Sequence, residues 1–332
     1  MIPGTTVQRQ PSAWQMVLAD AITEPAELLR LLDLDPALLP AARAAAALFP
    51  LRVPRGFVAR MRKGDPADPL LRQVLPLGAE LVATPGFSAD PLGESQALKA
   101  PGVLHKYRGR ALLLATGACG IHCRYCFRRE LDYAAAGAGH WRQGLDYLAH
   151  DASLSEVILS GGDPLILSNR RLADLLTALA AIPHLRRLRI HSRQPIVLPE
   201  RIDSGLLRLL GESRFPIVLV LHANHPQEID AAVAGALHKL IGKATLLNQA
   251  VLLKGVNDSA AVLAALSELM FSLGVLPYYL HLLDPVRRAA HFQVETAQAV
   301  ALVHTLGTRL PGYLVPRLVC EEPGKPGKTL VL

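Results

Sequence analysis

The most informative stretch of the sequence is Cys119-Gly-Ile-His-Cys-Arg-Tyr-Cys-Phe-Arg-Arg129, which follows the apolar run Ala111-Leu-Leu-Leu-Ala-Thr116. Three of the four cysteines, Cys119, Cys123 and Cys126, lie close together in it. The apolar run predicts a strand, and loops that follow the strands of a parallel barrel build its functional site. Three thiolates on so short a loop can bind a cubane iron–sulfur cluster and leave its fourth iron open to an outside ligand. The stretch therefore favours an iron–sulfur site at the end of a barrel strand.

Two other uses of these cysteines compete with the cluster. A structural zinc ion needs a fourth ligand, for which His122 inside the loop and the remote Cys320 are candidates, so zinc stays open as the less favoured alternative. A disulfide is disfavoured if the protein is cytoplasmic. The opening residues, Met1-Ile-Pro-Gly-Thr-Thr, have neither the basic nor the apolar segment of a secretory signal, so we expect the cytoplasm.

Beyond the cysteines, short apolar runs alternate with segments of helical periodicity, which predicts an α/β fold with six parallel strands. Residues 1–95 show helical periodicity broken by prolines and predict a mainly helical N-terminal region. We expect a partial parallel (βα)6 barrel over residues 96–311 and a C-terminal tail over 312–332 that begins with the strand Gly312-Tyr-Leu-Val-Pro-Arg-Leu-Val319. The six strands are predicted at 111–116, 156–160, 188–192, 216–221, 245–253 and 277–281, and helices at 168–181, 200–211, 227–241, 259–273 and 294–310.

Composition supports a globular protein and excludes several other classes. The chain has 332 residues, of which 51% are hydrophobic and 19% charged, which does not fit a disordered or fibrous protein. No apolar run approaches the roughly 18 residues of a membrane-spanning helix. The net charge is +7, but the arginines are scattered without a basic block or an aromatic series. The charge therefore favours a solvated surface, and we expect neither a nucleic acid nor a membrane as partner.

The cysteine spacing, with Tyr125 before the third cysteine, resembles the signature of the radical S-adenosylmethionine enzymes. Other motifs are similar to the lysine 2,3-aminomutases, and a further set is similar to their bacterial branch that makes (R)-β-lysine for modifying elongation factor P. The resemblance covers nearly the whole chain. The first set comprises Ser160-Gly-Gly-Asp-Pro-Leu165, His191-Ser-Arg-Gln-Pro-Ile-Val-Leu-Pro199, Gly255-Val-Asn-Asp258 and Pro277-Tyr-Tyr-Leu280, and the second Leu51-Arg-Val-Pro-Arg-Gly-Phe57, Asp68-Pro-Leu-Leu-Arg-Gln-Val74, Pro85-Gly-Phe-Ser88, Leu104-His-Lys-Tyr107 and Gly312-Tyr-Leu-Val-Pro316.

This resemblance implies a radical S-adenosylmethionine barrel whose C-terminal tail folds over the mouth. It implies an isomerase that converts L-lysine to (R)-β-lysine with three cofactors: a [4Fe-4S] cluster on Cys119, Cys123 and Cys126, S-adenosylmethionine and pyridoxal 5'-phosphate. In such enzymes a radical derived from S-adenosylmethionine takes a hydrogen from C3 of lysine, and the amine moves from C2 to C3. The implied partners are an electron donor such as a flavodoxin or ferredoxin, elongation factor P and the ligase that transfers the lysyl group to it.

The family implies a binding residue for each cofactor. The loop of Ser160, Gly161, Gly162 and Asp163, with Ser192, would hold the amino group of S-adenosylmethionine, and its glycines let backbone approach a ligand closely. Pyridoxal phosphate needs one lysine, and the Lys-Thr pair favours Lys328 over Lys325. Cations suit its phosphate, and the candidates there are Lys106, Tyr107, Arg110 and Arg124.

For the substrate, the family implies Arg128 at the carboxylate and the acidic residues Asp284 and Glu321 at the distal ammonium. Charge complementarity favours lysine over glutamate. An aminomutase for glutamate or arginine and, more remotely, an RNA-modifying radical enzyme remain the alternatives. A radical methyltransferase of that kind needs further catalytic cysteines, and Cys320 alone is not a pair. We assign Cys320 no role and expect no structural zinc, because the chain lacks the cysteine-bearing extension of the clostridial enzymes.

Overall fold

The computed structural model describes residues 11–332, so the expectation about the first residues lies outside the described part. The described part opens with six short helices: α1 (Ala13–Ala19), α2 (Pro25–Leu31), α3 (Leu39–Leu48), α4 (Arg55–Val58), α5 (Pro69–Arg72) and α6 (Glu94–Ala97). Proline occupies the first turn of α2, α3 and α5, where its missing N–H costs nothing. Their core contains Trp14, Phe57 and Leu70 and also buries Ile121 of the cysteine loop. The helical N-terminal region therefore packs directly against that loop.

One sheet of ten strands, paired in sequence order, forms the centre of the protein. Strands β3 to β9 are parallel, whereas β1 and β2 at one edge and β10 at the other pair antiparallel. The six predicted parallel strands are confirmed as β3 to β8. The strands are β1 (Leu98–Ala100), β2 (Val103–Tyr107), β3 (Arg110–Thr116), β4 (Glu156–Gly161), β5 (Arg187–Ser192), β6 (Ile217–Leu221), β7 (Thr245–Val251), β8 (Leu276–His281), β9 (Arg317–Cys320) and β10 (Thr329–Leu330).

The two faces of this sheet have different roles, because successive side chains of a strand point to opposite sides. In β4, Val157 and Leu159 are buried in the main hydrophobic core, which the helices complete. Ile158 and Ser160 of the same strand face a cavity on the other side. The same alternation recurs in β5, β7 and β8. The fold is thus a partial barrel with helices outside and a cavity inside, which confirms the predicted partial parallel barrel.

Helices connect the parallel strands as predicted, except for the first. They are α7 (Trp141–His150), α8 (Asn169–Ala180), α9 (Gln194–Val197), α10 (Ser204–Gly211), α11 (Ala231–Leu240), α12 (Ala260–Ser272) and α13 (Thr296–Arg309). The sequence predicted neither α7 nor the short helix α9, and it predicted α10 from residue 200. The side chain of Asp203 accepts a hydrogen bond from Leu206 N and so caps α10, which begins only after it.

The C-terminal tail differs from the prediction at its start. Gly312–Leu314 is a single 3-10 turn, and β9 begins only at Arg317. Pro311 and Pro316 bracket this turn and supply no N–H for a sheet. Within residues 11–332, no helix combines the length and the apolar character needed to cross a membrane.

Candidate active site

A cavity of about 430 Å3 lies on the inner face of the sheet, where the parallel strands end. Residues at or just after the ends of four strands line it: Gly161, Ser192, His222 and His281. Its wall is completed by the cysteine loop on one side and the C-terminal tail on the other. The carboxyl ends of parallel strands are where α/β proteins build their sites.

All three clustered cysteines line this cavity. The turn that brings Cys123 and Cys126 together is closed by a hydrogen bond of 3.1 Å from Cys126 N to Cys123 O. Backbone hydrogen bonds from His122 N to Arg52 O and from Arg124 N to Gln73 O fasten the loop to the N-terminal helices. Burial raises the pKa of Cys119 well above its usual value and that of Cys126 to about 11. Burial thus disfavours the thiolate forms of Cys119 and Cys126, and a bound metal would favour them.

The donor set fits a cluster better than a single ion. In the described part of the chain, no three His, Cys, Asp or Glu side chains meet closely enough to hold one metal ion. A cubane cluster does not require such a meeting point, because each cysteine binds a different iron of a larger body. Three soft sulfur donors around one cavity suit iron–sulfur ligation, and a fourth iron would face the cavity.

Arg124 corrects the sequence analysis, which placed it at the phosphate of pyridoxal phosphate. Its guanidinium does not line the cavity and is fully buried on the other side of the loop. There Nε and Nη2 donate to both carboxylate oxygens of Glu80, at 2.8 and 2.6 Å, and Nη1 donates to the carbonyl of Phe49 at 2.7 Å. Arg129 donates to the same carboxylate. Because these bonds occupy its donors, Arg124 holds the cysteine loop against the N-terminal region. It is therefore not part of the phosphate site.

Arg128 lines the cavity together with its partner Glu94. The sequence analysis named Arg128 but missed Glu94. Arg128 Nε and Nη2 donate to the two oxygens of Glu94, both at 2.7 Å, and Nη1 donates to Ser160 Oγ at 3.0 Å. Both side chains are almost fully buried. Such a two-pronged bond fixes the guanidinium plane. Glu94 lies in a short helix far from the cysteine loop in sequence, so no local pattern indicated it.

The glycine-rich loop after β4 sits tightly against the cysteine loop. Gly161 has φ +117°, a conformation that side chains rarely allow, and a Cβ at Gly162 would overlap the carbonyl of Ala118. Asp163 accepts hydrogen bonds from Ser192 Oγ at 2.8 Å and from Arg193 N at 2.8 Å. Burial raises the pKa of Asp163 to about 6 although these bonds oppose it. The loop is thereby tied to the end of β5.

The tail brings Lys328 into the cavity, whereas Lys325 is exposed and does not line it. In the pairing of β9 with β10, Thr329 lies opposite Cys320, which sets Lys328 beside Glu321. Lys328 Nζ donates to Glu321 Oε2 at 3.0 Å, and Lys106 Nζ donates to Glu321 Oε1 at 2.9 Å. The two ammonium groups lower the pKa of Glu321 to about 2 against the effect of its burial. Glu321 is thus an ionised bridge between two lysines.

Further groups of the same wall are polar and buried. Arg110 lies over the ring of Tyr107, 4.7 Å from its centroid, and both line the cavity with Lys106. The hydroxyl of Tyr107 is buried with no hydrogen-bond partner among residues 11–332, and burial raises its pKa. Asp284 also lines the cavity, and burial together with the nearby Glu321 raises its pKa to about 7.

Three histidines of the cavity wall were not predicted. Burial lowers the pKa of His222 to about 3 and holds those of His191 and His281 well below the usual value, so all three are neutral. His222 Nε2 lies 3.0 Å from the hydroxyl of Tyr125, and His191 Nε2 is buried without a partner in the described chain. His191 and His281 alternate with apolar residues near strand ends, and that pattern could have indicated inward-facing polar groups.

Known enzymes are similar to this chain over nearly its whole length, as the following comparisons show. No family model matches the chain. The chain is 51% identical over 321 residues to an L-lysine 2,3-aminomutase of Escherichia coli (strain K12), an alignment that covers 95% of the chain and 93% of that enzyme. It is 46% identical over 333 residues to an L-lysine 2,3-aminomutase of Haemophilus influenzae, with 99% and 98% covered. A radical SAM methyltransferase structure from Sphaerobacter thermophilus aligns at 15% identity over 66% of this chain and 68% of that one, with a TM-score of 0.45.

Proposed function

The chain belongs to the L-lysine 2,3-aminomutase family, and from that premise we propose how its cavity carries out the isomerisation. The protein is an isomerase that acts on L-lysine with a [4Fe-4S] cluster and S-adenosylmethionine. One observation carries our proposal for the site: the three clustered cysteines and Lys328 of the tail line the same cavity. We propose that Cys119, Cys123 and Cys126 bind the cluster and that Lys328 binds pyridoxal 5'-phosphate there.

When bound, the cluster and S-adenosylmethionine supply a radical that removes a substrate hydrogen, and pyridoxal phosphate supplies an aldehyde that carries the migrating amine. The chain's own contribution is binding, orientation and exclusion of water. Apolar side chains such as Ile158 and Val251 line the cavity between its polar groups, and they would keep water from the reacting atoms.

We propose that Lys106, Tyr107 and Arg110 bind the phosphate of pyridoxal phosphate. Arg110 offers a planar set of donors, and the buried hydroxyl of Tyr107 has a hydrogen bond to give. Glu321 holds the ammonium of Lys328 at 3.0 Å, which orients the amine toward the cavity. A site that already contains two lysines, one arginine and a donor hydroxyl suits a dianionic phosphate.

We propose that the loop of Ser160, Gly161, Gly162 and Asp163, with Ser192, binds the amino group of S-adenosylmethionine. The carboxylate of Asp163 carries the negative charge that an ammonium needs, and the backbone N–H of Asp163 donates to the carbonyl of Ala118, the residue before Cys119. The hydrogen bond of 2.8 Å from Ser192 Oγ holds that carboxylate in one orientation. Because Gly162 has no Cβ, the glycine-rich loop can pack directly against the carbonyl of Ala118.

For the substrate, we propose that Arg128 binds the carboxylate of lysine and that Asp284 and Glu321 bind the distal ammonium. Glu94 occupies the Nε and Nη2 edge of Arg128 and keeps its remaining N–H groups on the cavity wall. Two acids at the far end suit a cation and oppose the carboxylate of glutamate, which argues against a glutamate aminomutase. Glu321 binds the ammonium groups of Lys328 and Lys106 before the cofactor binds, and it binds the distal ammonium of the substrate afterwards.

The product, its use, the electron donor and the cellular location of the enzyme are also proposals. We propose that the product is (R)-β-lysine, that it is used to modify elongation factor P through its lysyl-transferring ligase, and that a flavodoxin or ferredoxin supplies the electron. Use by a translation factor would place the enzyme in the cytoplasm. We also propose the division into a helical region over 1–95, a barrel over 96–311 and a lysine-bearing tail over 312–332.

A pair of variants tests the assignment of Lys328. Wild type incubated with pyridoxal phosphate should show the absorption band of the lysine-bound cofactor, and borohydride should fix the label on the peptide that contains Lys328. Lys328→Ala should lose both signals, whereas the matched control Lys325→Ala should keep them. A label on Lys325, or an unlabelled wild type, would refute the proposal.

A further inference from the structure

A buried arginine at the end of β5 connects the cysteine loop to the rest of the protein. Arg193 Nη1 donates a hydrogen bond of 2.7 Å to the sulfur of Cys123. Arg193 Nη2 donates to Glu228 Oε2 at 2.9 Å and to Gln73 Oε1 at 2.7 Å. The side chain is only 6% exposed, and Glu228 and Gln73 are fully buried.

The guanidinium is held firmly in this place. Its own backbone N–H donates to Asp163 Oδ2 at 2.8 Å, so the same residue touches both the cysteine loop and the glycine-rich loop. The rings of Phe57 and Tyr125 lie 5.5 and 5.8 Å from its central carbon. Its Nε is buried and has no partner within the described part of the chain.

Hydrogen bonds and charge near the sulfurs set the potential of an iron–sulfur cluster. Reduction adds one negative charge to the cluster, so a cation and an N–H donor at Cys123 stabilise the reduced form more than the oxidised form. Glu228 balances the charge of Arg193 through a hydrogen bond from Nη2, whereas Nη1 is the nitrogen that faces the sulfur. The positive end of this ion pair therefore faces Cys123.

We propose that Arg193 is a positioning residue that orients Cys123 for iron and raises the reduction potential of the cluster. This inference rests on the proposed cluster site and adds a residue that makes the first electron transfer easier. It assigns Arg193 no contact with lysine or pyridoxal phosphate.

The test is a redox titration of the reconstituted cluster followed by electron paramagnetic resonance, without S-adenosylmethionine and without an activity assay. Arg193→Met should make reduction about tenfold less favourable, which for one electron is about 59 mV toward negative potential. Arg193→Lys keeps a cation but loses the planar guanidinium with its two donating nitrogens, so its potential should lie between those of Arg193→Met and wild type. The control is Arg201→Lys, because Arg201 is fully buried, donates to the carbonyls of Leu165 and Leu167 and does not line the cavity. Its potential should equal that of wild type.

A second measurement works even if Arg193→Met does not fold. In wild type grown with arginine that carries 15N only in its guanidinium nitrogens, pulsed electron paramagnetic resonance should detect a nitrogen coupled to the reduced cluster, and Arg193→Lys should lose that coupling. Equal potentials in wild type and the Arg193 variants, or a coupling that persists in Arg193→Lys, would overturn the inference. Failure of wild type to assemble a four-iron cluster would instead overturn the proposed cluster site, so the two failures are distinguishable.

Discussion

The buried ion pair between Arg124 and Glu80 yields a prediction that separates two explanations of Arg124. If Arg124 clamps the cysteine loop, Arg124→Met should lower stability and leave the affinity for pyridoxal phosphate unchanged. If it binds the phosphate, the reverse should hold. The structure favours the clamp, because Arg124 is fully buried outside the cavity with Glu80 as its counterion.

The size of the effect follows from the contacts. Removing one partner of a buried ion pair costs about 3–5 kcal/mol. Arg124→Met should cost about 3 kcal/mol, since Glu80 keeps its bond to Arg129. Glu80→Gln should cost about 5 kcal/mol, because it leaves both buried arginines without a carboxylate. Unfolding entropy of about 2.1 cal/mol/K per residue gives about 0.7 kcal/mol/K for the chain, so we expect Tm to fall by about 4 °C and about 7 °C.

The assay pairs thermal unfolding with a titration of pyridoxal phosphate, and Arg110→Gln is the matched control. Arg110 lines the cavity, so this variant should lose a charge-assisted hydrogen bond to the phosphate and bind the cofactor about tenfold to a hundredfold more weakly. Its Tm without cofactor should stay near that of wild type. The reasoning would be refuted if Arg124→Met kept the wild-type Tm and weakened cofactor binding as Arg110→Gln does.

Three other predictions follow from single residues. The raised pKa of Asp284, about 7, means that its neutral form is favoured in the folded protein, so this group stabilises the fold below the ordinary carboxyl pKa and loses that contribution as pH rises from there to about 7. The Tm of the cofactor-free protein should therefore fall between about pH 4 and pH 7 and level off above about pH 7, and a fall equally large in Asp284→Asn would exclude this cause. Gly162→Ala should push the glycine-rich loop off the cysteine loop and weaken binding of S-adenosylmethionine in a calorimetric titration, whereas Gly235→Ala, where a Cβ meets nothing within 4 Å, should bind normally; equal binding by both would contradict the close approach. Cys320→Ser should retain the iron content of wild type while Cys119→Ser loses cluster iron, and a loss in Cys320→Ser would show that the fourth cysteine is a ligand.

Much of the fold could be predicted from local pattern. Strands β3, β4 and β6 contain runs of Leu, Ile and Val, and the spacing of all six strands from β3 to β8 with helical segments between them identifies a parallel sheet. The strands β1, β2 and β10 are too short to show a pattern, and their pairing depends on partners. Helix α7 was missed although Trp141, Leu145 and Leu148 recur at helical spacing and pack against the main core.

Sequence motifs identified residues of the site, but they did not indicate which partner each residue contacts or which side of the loop it faces. Arg124 and Arg128 lie four residues apart in one loop, yet Arg128 faces the cavity and Arg124 faces the opposite side. The acids that hold them, Glu80 and Glu94, come from the N-terminal region. A buried arginine requires a carboxylate, but the sequence does not say which one, because that depends on how the N-terminal region packs against the loop.

The most direct test of the central claim is the product formed from labelled L-lysine. Reconstituted protein would be incubated without oxygen with pyridoxal phosphate, S-adenosylmethionine, dithionite and the labelled substrate, and the amino acids would be separated by chromatography. We predict that label moves from L-lysine to β-lysine in wild type and stays in L-lysine in Lys328→Ala. Accumulation of 5'-deoxyadenosine with no β-isomer in wild type would contradict the account.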